Sequence, residues 1–158
     1  MNTKTLSRLL FVAFLGVGVL GLGGCYGIVS FGREIAESNP EYAYCFLPWV
    51  IFLALFALPC FLAVYFALRI SLDLGNGRAF TKENVRRLKI VSRMAFFDAL
   101  YFFIGNNVFL FLNMSHPGIL LLALFVVFVG MVIALLAEAL SRLTFGAQGL
   151  KEENDLTI

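Results

Sequence analysis

The stretch ILLLALFVVFVGMVIALLAEAL, residues 119–140, decides the fold class of this chain. It contains a single charged residue, Glu138. A helix that is apolar on every side is either buried in a large core or crosses a membrane. About 20 apolar residues are enough to span the roughly 30 Å hydrocarbon core of a bilayer. The stretch therefore predicts a transmembrane helix.

Three further stretches have a similar length and character, from about 9 to 31, from 46 to 68 and from 94 to 112. The 158 residues are 61% hydrophobic and 14% charged, with a mean hydropathy of +0.91. Soluble domains average about 25% charged residues, so this composition excludes a soluble domain as well as disorder. We predict an all-α membrane protein, a four-transmembrane-helix bundle that forms one integral membrane domain over residues 1–158.

Lysine and arginine are unevenly divided between the two sides of the predicted bundle. Arg33 alone lies between the first and second spans, and the other eleven precede the first span, join the second to the third, or follow the fourth. Positively charged loops remain in the cytoplasm. We therefore expect both termini and the central segment to be cytoplasmic.

The central segment carries the most regular charge pattern. Lys82, Arg86, Lys89 and Arg93 recur at helical spacing, which places them on one stripe. Thr81 is a suitable N-cap. This pattern predicts a short cytoplasmic amphipathic helix over about 82–93, separate from the third span. Such a helix either binds anionic lipid headgroups in the membrane interface or meets an acidic partner. We do not expect direct nucleic-acid binding, because the segment has no recognition fold.

The cytoplasmic tail, residues 144–158, ends in LKEENDLTI. Asp155, Leu156 and Ile158 combine a charge with alternating apolar side chains next to the free carboxylate. Such an ending is either a frayed terminus or an extended segment captured by a partner.

Ionisable residues inside a membrane are candidates for function. Asp98 and Glu138 lie near the cytoplasmic ends of the third and fourth spans, and Arg93 and Arg142 are close enough in sequence to neutralise them. The two carboxylates are therefore either shallow structural ion pairs or part of a transport pathway.

Other features of the spans have a structural and a functional interpretation. Asn106 and Asn107 are expected to form hydrogen bonds between helices. Pro59 predicts a kink in the second span, which is either a static bend or part of a gate. The spacing of Gly23 and Gly27 allows another helix to approach closely.

The cysteines also leave alternatives open. Cys25 and Cys45 lie near the outer ends of the first two spans, so they either form a disulfide or are small buried residues. The segment Leu22–Cys25 resembles a bacterial lipoprotein signal, although the apolar run continues past it and is long enough to span the membrane uncleaved. We expect no metal site, no cofactor and no catalytic constellation, and hence no enzyme.

Two segments resemble a known family. GRAFTKENVRRLKIV, residues 77–91, and LKEENDLTI, residues 150–158, are similar to the YoaS-like bacterial membrane proteins, domain-of-unknown-function family 2975. The resemblance implies a multi-pass protein of the bacterial inner membrane with no assigned biochemical activity. Such proteins are often encoded beside a small Xre-type helix-turn-helix regulator, and a tail that recurs in a family is less easily dismissed as frayed.

Two functional hypotheses follow. In the first, the cytoplasmic stripe and tail tether or restrain a cytosolic partner such as an Xre-type helix-turn-helix regulator. In the second, the protein is a small transporter, channel or immunity-type protein that acts within the bilayer through its embedded polar residues. A homo-oligomer is compatible with either hypothesis.

Overall fold

The computed structural model describes residues 2–155, with side chains for residues 2–150, and these residues are almost entirely helical. A short 3-10 helix, Pro40–Tyr42, joins the first two of four long helices. All four are long and apolar enough to cross a membrane, as the sequence predicts. They are α1 Thr3–Ser38, α2 Ala43–Gly75, α3 Lys82–Phe111 and α4 Pro117–Asp155.

The ends of α2 and α3 follow from local chemistry. Gly77 has a φ of 72°, a left-handed conformation that glycine adopts without a Cβ penalty, and it turns the chain after α2. Thr81 is the N-cap of α3, and its hydroxyl accepts from the Asn84 amide at 3.3 Å. The connector of 76–81 is therefore a defined turn.

The basic segment 82–93 is not a separate amphipathic helix, which corrects the sequence prediction. It forms about the first three turns of α3, which continues without interruption to Phe111. The segment contains no glycine or proline that would end a helix before the apolar run begins. The change from charged to apolar residues at Met94 therefore marks a change of surroundings along one helix.

The tail is also more helical than expected. Its described part continues α4 to Asp155, while Leu156 and Ile158 lie outside the described residues. At 39 residues, α4 is roughly 58 Å long, which is far longer than the roughly 30 Å of hydrocarbon in a bilayer. Part of α4 must therefore extend beyond the membrane.

The helices form an open row rather than a closed bundle. Consecutive helices pack antiparallel, and α3 contacts both α2 and α4. Among the described residues, no Cα atom of α1 lies within 8 Å of α3 or α4, whereas each helix of a closed bundle has two neighbours. We call the end of the row formed by residues 3–8, 69–89 and 138–155 the basic end.

A small aromatic core holds the middle of the row. Phe52 and Phe102 are buried with Ala123, so the core joins α2, α3 and α4. Trp49 packs beside this core, and its Nε1 donates to the Met114 carbonyl at 2.9 Å, which ties α2 to the turn after α3.

Close packing of α3 against α4 depends on small residues. A Cβ built at Gly130 would lie 3.1 Å from the Cβ of Ala99, so the two backbones meet without large side chains between them. Most large apolar side chains point outward instead, such as Phe111 at 84% exposed and Leu20 at 77%. This arrangement suits a chain whose solvent is lipid.

Candidate functional site

A buried asparagine fixes the connector at the basic end. Asn84 is 1% exposed, and its Nδ2 donates to the carbonyls of Arg78 and Ala79 at 3.1 and 3.2 Å. Its Oδ1 accepts from Nη1 of Arg87 at 2.9 Å. These bonds satisfy connector backbone groups that would otherwise need water, so the connector is held against the first turn of α3.

Arg87 links this connector to α2. Its Nη1 contacts Oδ2 of Asp73 at 2.6 Å, and the two side chains are only 17% and 20% exposed. Its Nη2 reaches Oε1 of Glu83 at 2.6 Å, and Arg78 adds a longer contact to Asp73 at 3.6 Å. We call Asp73, Asn84 and Arg87 the α2–α3 clasp.

Neither Asp73 nor Arg87 stands out in the sequence. Arg87 lies next to Arg86 but on another face of the helix, so the spacing that defines the stripe does not indicate its partner. The signal that could have revealed the clasp is a carboxylate and an arginine on either side of a short Gly-Asn-Gly-containing connector. The clasp also explains part of the family-like motif, because Gly77 and Asn84 serve the folding of the connector.

The predicted basic stripe lies on the outer face of α3. Its members are all exposed: Lys82, Arg86, Lys89 and Arg93. The faces of α3 on either side of the stripe contact α2 and α4, so the stripe points away from both neighbours. Arg86, Lys89 and Arg93 of the stripe are therefore accessible to a ligand or partner, whereas Arg87 is committed to the clasp.

The end of α4 supports the beginning of α3. The Ser141 hydroxyl is buried and donates to the Val85 carbonyl at 3.1 Å. Gln148 is also buried, at 6% exposed. Glu138 pairs with Arg142 at 2.9 Å, so the expected ion pair is present at this helix end. The first turns of α3 and residues 138–148 of α4 therefore pack against each other at the basic end.

Asp98 does not pair with Arg93, which corrects the second expected ion pair. Five residues apart on a helix, the two side chains lie about 140° apart around the axis. Arg93 is exposed, whereas Asp98 is 8% exposed and faces α2. There it accepts from the Cys60 thiol at 3.3 Å, so its partner is a cysteine of the second span.

Asn106 and Asn107 do not bridge helices as expected. Their Nδ2 atoms donate to carbonyls of their own helix, those of Phe102 at 2.8 Å and Phe103 at 2.7 Å. Within the described residues the buried Oδ1 of Asn106 has no hydrogen-bond partner. Both side-chain amides therefore donate within α3 rather than to a neighbouring helix.

The cysteines are free, and the Cys25–Cys45 disulfide is absent. Cys25 is exposed on α1 rather than buried, and Cys45 is half-buried. Lipidation at Cys25 stays a prediction. Over the side chains of residues 2–150, no three His, Cys, Asp or Glu residues come together as a metal-binding group.

Comparison with known proteins agrees with the helical architecture. A family model described as "Protein of unknown function (DUF2975)" matches residues 30–158. The chain belongs to the DUF2975 family. It is also 31% identical over 150 residues to the "Uncharacterized membrane protein YoaS" of Bacillus subtilis (strain 168), with 93% of this chain and 94% of that protein covered. No solved structure gives a significant match. The family resemblance in the sequence is thereby confirmed, and this DUF2975 chain is a membrane protein.

Proposed function

We propose that this DUF2975 protein is a non-enzymatic interaction protein of the bacterial inner membrane. In this proposal its basic end faces the cytosol and holds a soluble partner, such as an Xre-type helix-turn-helix regulator, at the membrane. The observation that carries the proposal is the exposed stripe at the start of α3, a helix end that the clasp holds in place.

The orientation rests on charge. Eleven of the twelve lysine and arginine residues lie on the side of the basic end, and such segments are retained in the cytosol during insertion. With Lys82 and Arg86 furthest from the apolar part of α3, this end of the stripe extends into water rather than into the headgroup layer.

The rigidity of the basic end favours binding. Asn84 and Arg87 fix α3 to the connector and to α2, and Ser141 joins it to α4. A surface held in one conformation loses less conformational entropy when a partner binds. The charge of Arg86 and Lys89 selects an acidic surface and accelerates its encounter. The choice of a helix-turn-helix regulator as the partner comes from the family resemblance.

The test is site-specific photocrosslinking in living cells. A photoreactive amino acid in place of Arg86 is expected to capture the regulator, while one in place of Leu121, exposed on the apolar part of α4, is not. Reversing Arg86 and Lys89 to glutamate, or truncating after Gly149, should release the regulator from membranes and change its transcriptional output.

The matched control reverses Lys4 and Arg8 to glutamate. This variant makes the same charge change on α1, which does not contact α3 or α4. It should leave the regulator at the membrane. The proposal fails if the stripe variant and the truncation leave regulator location and output unchanged, or if the control variant releases the regulator to the same extent.

A second candidate, an activity within the bilayer, is favoured by Asp98. This carboxylate is buried in an apolar segment beside Cys60 and borders a groove formed with Pro59 and Tyr101. Buried carboxylates in membranes commonly belong to ion or proton pathways. A transport or protection phenotype that disappears when Asp98→Asn is combined with Glu138→Gln supports this function, and an intact phenotype excludes it.

A further inference from the structure

Two apolar grooves run along the outer face of α3, one on each side of Phe97. Phe97 is 64% exposed and forms the ridge between them, and both grooves also border Arg93. The groove toward α2 has a volume of about 840 Å³ and the groove toward α4 about 570 Å³. Their outer walls are Leu55, Leu58 and Leu62 on α2, and Met131, Ala134 and Leu135 on α4.

Arg93 lies deeper than the rest of the stripe. Along α3, Arg93 lies between two residues that contact α2. Asp98 accepts from Cys60 of α2, and Arg87 donates to Asp73 of α2. Arg93 is therefore level with the apolar segment between those α2 residues. Placing a charged guanidinium at the head of two apolar grooves is energetically favourable where an anion lies against it.

The neighbouring charges make the head of the grooves positive. Lys89 is exposed one turn from Arg93 on the same stripe. Arg69 is exposed on α2 two turns beyond Leu62, on the face that forms the wall of the larger groove.

The two carboxylates that border the grooves already have partners. Glu138 pairs with Arg142, and Asp98 accepts from Cys60. A neutral thiol does not cancel the charge of a carboxylate, but Asp98 points toward α2, about 140° around the helix from Arg93, so neither carboxylate pairs with that guanidinium.

We propose that this surface binds one anionic diacyl phospholipid from the surrounding bilayer. The phosphate lies against Arg93, with Lys89 and Arg69 beside it. One acyl chain occupies each groove, and Phe97 separates the two chains. The two grooves fit a lipid with two acyl chains. The positive charge at their head favours an anionic over a zwitterionic headgroup. The site shares Lys89 with the partner surface proposed above, but Arg93, Arg69 and the two grooves are not needed for that partner.

The test is native mass spectrometry of the full chain purified in detergent and titrated with dioleoyl phosphatidylglycerol or dioleoyl phosphatidylcholine. The wild type is expected to retain one phosphatidylglycerol and to bind phosphatidylcholine at least tenfold more weakly. Arg93→Gln should weaken phosphatidylglycerol binding roughly tenfold, as loss of one charge-assisted phosphate contact predicts. Arg86→Gln removes the same charge from the stripe further from the grooves and should change binding by less than about twofold.

The grooves are tested separately from the charges. Leu58→Trp and Leu135→Trp each fill one groove at an exposed position, 65% and 67% exposed in the wild type, so neither disturbs the core. Each should reduce phosphatidylglycerol retention, whereas Leu121→Trp outside the grooves should not. Circular dichroism before titration checks that each variant is folded.

Two results would overturn the proposal. Equal losses in Arg93→Gln and Arg86→Gln would show diffuse charge attraction instead of a site. Unchanged retention in both groove variants would show that the acyl chains lie elsewhere.

Discussion

Replacing Arg87 with methionine tests whether the clasp holds the basic end together. The substitution keeps the aliphatic part of the side chain but removes its bonds to Asp73, Asn84 and Glu83. Breaking a buried ion pair costs about 3–5 kcal/mol. For the pair of Arg87 with Asp73 we expect the lower end of this range, because Asp73 is 20% exposed and keeps its contact with Arg78. The pair with Glu83, which is 71% exposed, adds only about 0.3–0.5 kcal/mol.

We therefore expect Arg87→Met to lower the free energy of unfolding by about 3 kcal/mol. For a chain of this size, each kcal/mol moves the thermal midpoint by about 2–4 °C, so the midpoint should fall by about 6–12 °C. Circular dichroism in detergent micelles measures the shift. Hydrogen exchange should also accelerate at the amides of 76–84, since the clasp closes that connector.

The matched control is Arg86→Met, which removes the same charge one residue away on the exposed stripe. Its midpoint should change by no more than about 2 °C, because exposed charges contribute little to stability. Equal midpoints for the two variants would refute the reasoning, as would unchanged exchange in the connector of Arg87→Met.

The remaining predictions concern the packing of the spans and the state of the cysteines. Gly105→Ala places a methyl group against the Phe52 ring and should destabilise the protein by about 1–3 kcal/mol. Gly16→Ala, where the structure leaves open space, should stabilise α1 by about 0.5–1 kcal/mol. A higher thermal midpoint for Gly105→Ala than for Gly16→Ala would contradict the helix packing. Asn106→Leu removes a buried amide whose Oδ1 has no partner within the described residues, so its unfolding free energy should be unchanged or raised by about 1 kcal/mol; a clear loss would reveal a missed contact. Without reductant, the denatured protein should show three reactive thiols, and a count of one would indicate a disulfide.

The four helices could be predicted because the bilayer imposes their length and composition. Each span must satisfy its backbone hydrogen bonds internally and expose apolar side chains to lipid. The same uniformity conceals the neighbours of each helix. A helix that is apolar on all sides, like residues 119–140 of α4, gives no sign of which face packs, so the open row could not be read from the pattern.

The polar residues show where local reasoning succeeds and fails. Glu138 and Arg142 are four residues apart, so their pairing follows from helix geometry alone. The partner of Asp98 is Cys60, 38 residues away, and it depends on how α2 and α3 align. The α2–α3 clasp has the same dependence, because Asp73 and Arg87 meet only once the connector has folded.

The stripe is an intermediate case. Helical spacing places Arg86, Lys89 and Arg93 on one face whether or not the helix is separate from the span, so the face was predicted while the helix boundary was not. The boundary was placed at the change from charged to apolar residues. Hydropathy marks the membrane surface, but only a helix-breaking residue or a cap marks the end of a helix.

The proposed function requires the basic end to face the cytosol, and cysteine accessibility measures this orientation. In a chain without its native cysteines, Tyr42→Cys and Gly149→Cys place single thiols at opposite ends of the row, both at exposed positions. A membrane-impermeant maleimide should label Tyr42→Cys in intact cells and Gly149→Cys only after the membrane is permeabilised. Labelling of Gly149→Cys in intact cells would contradict the account, because the stripe could then not reach a cytosolic partner.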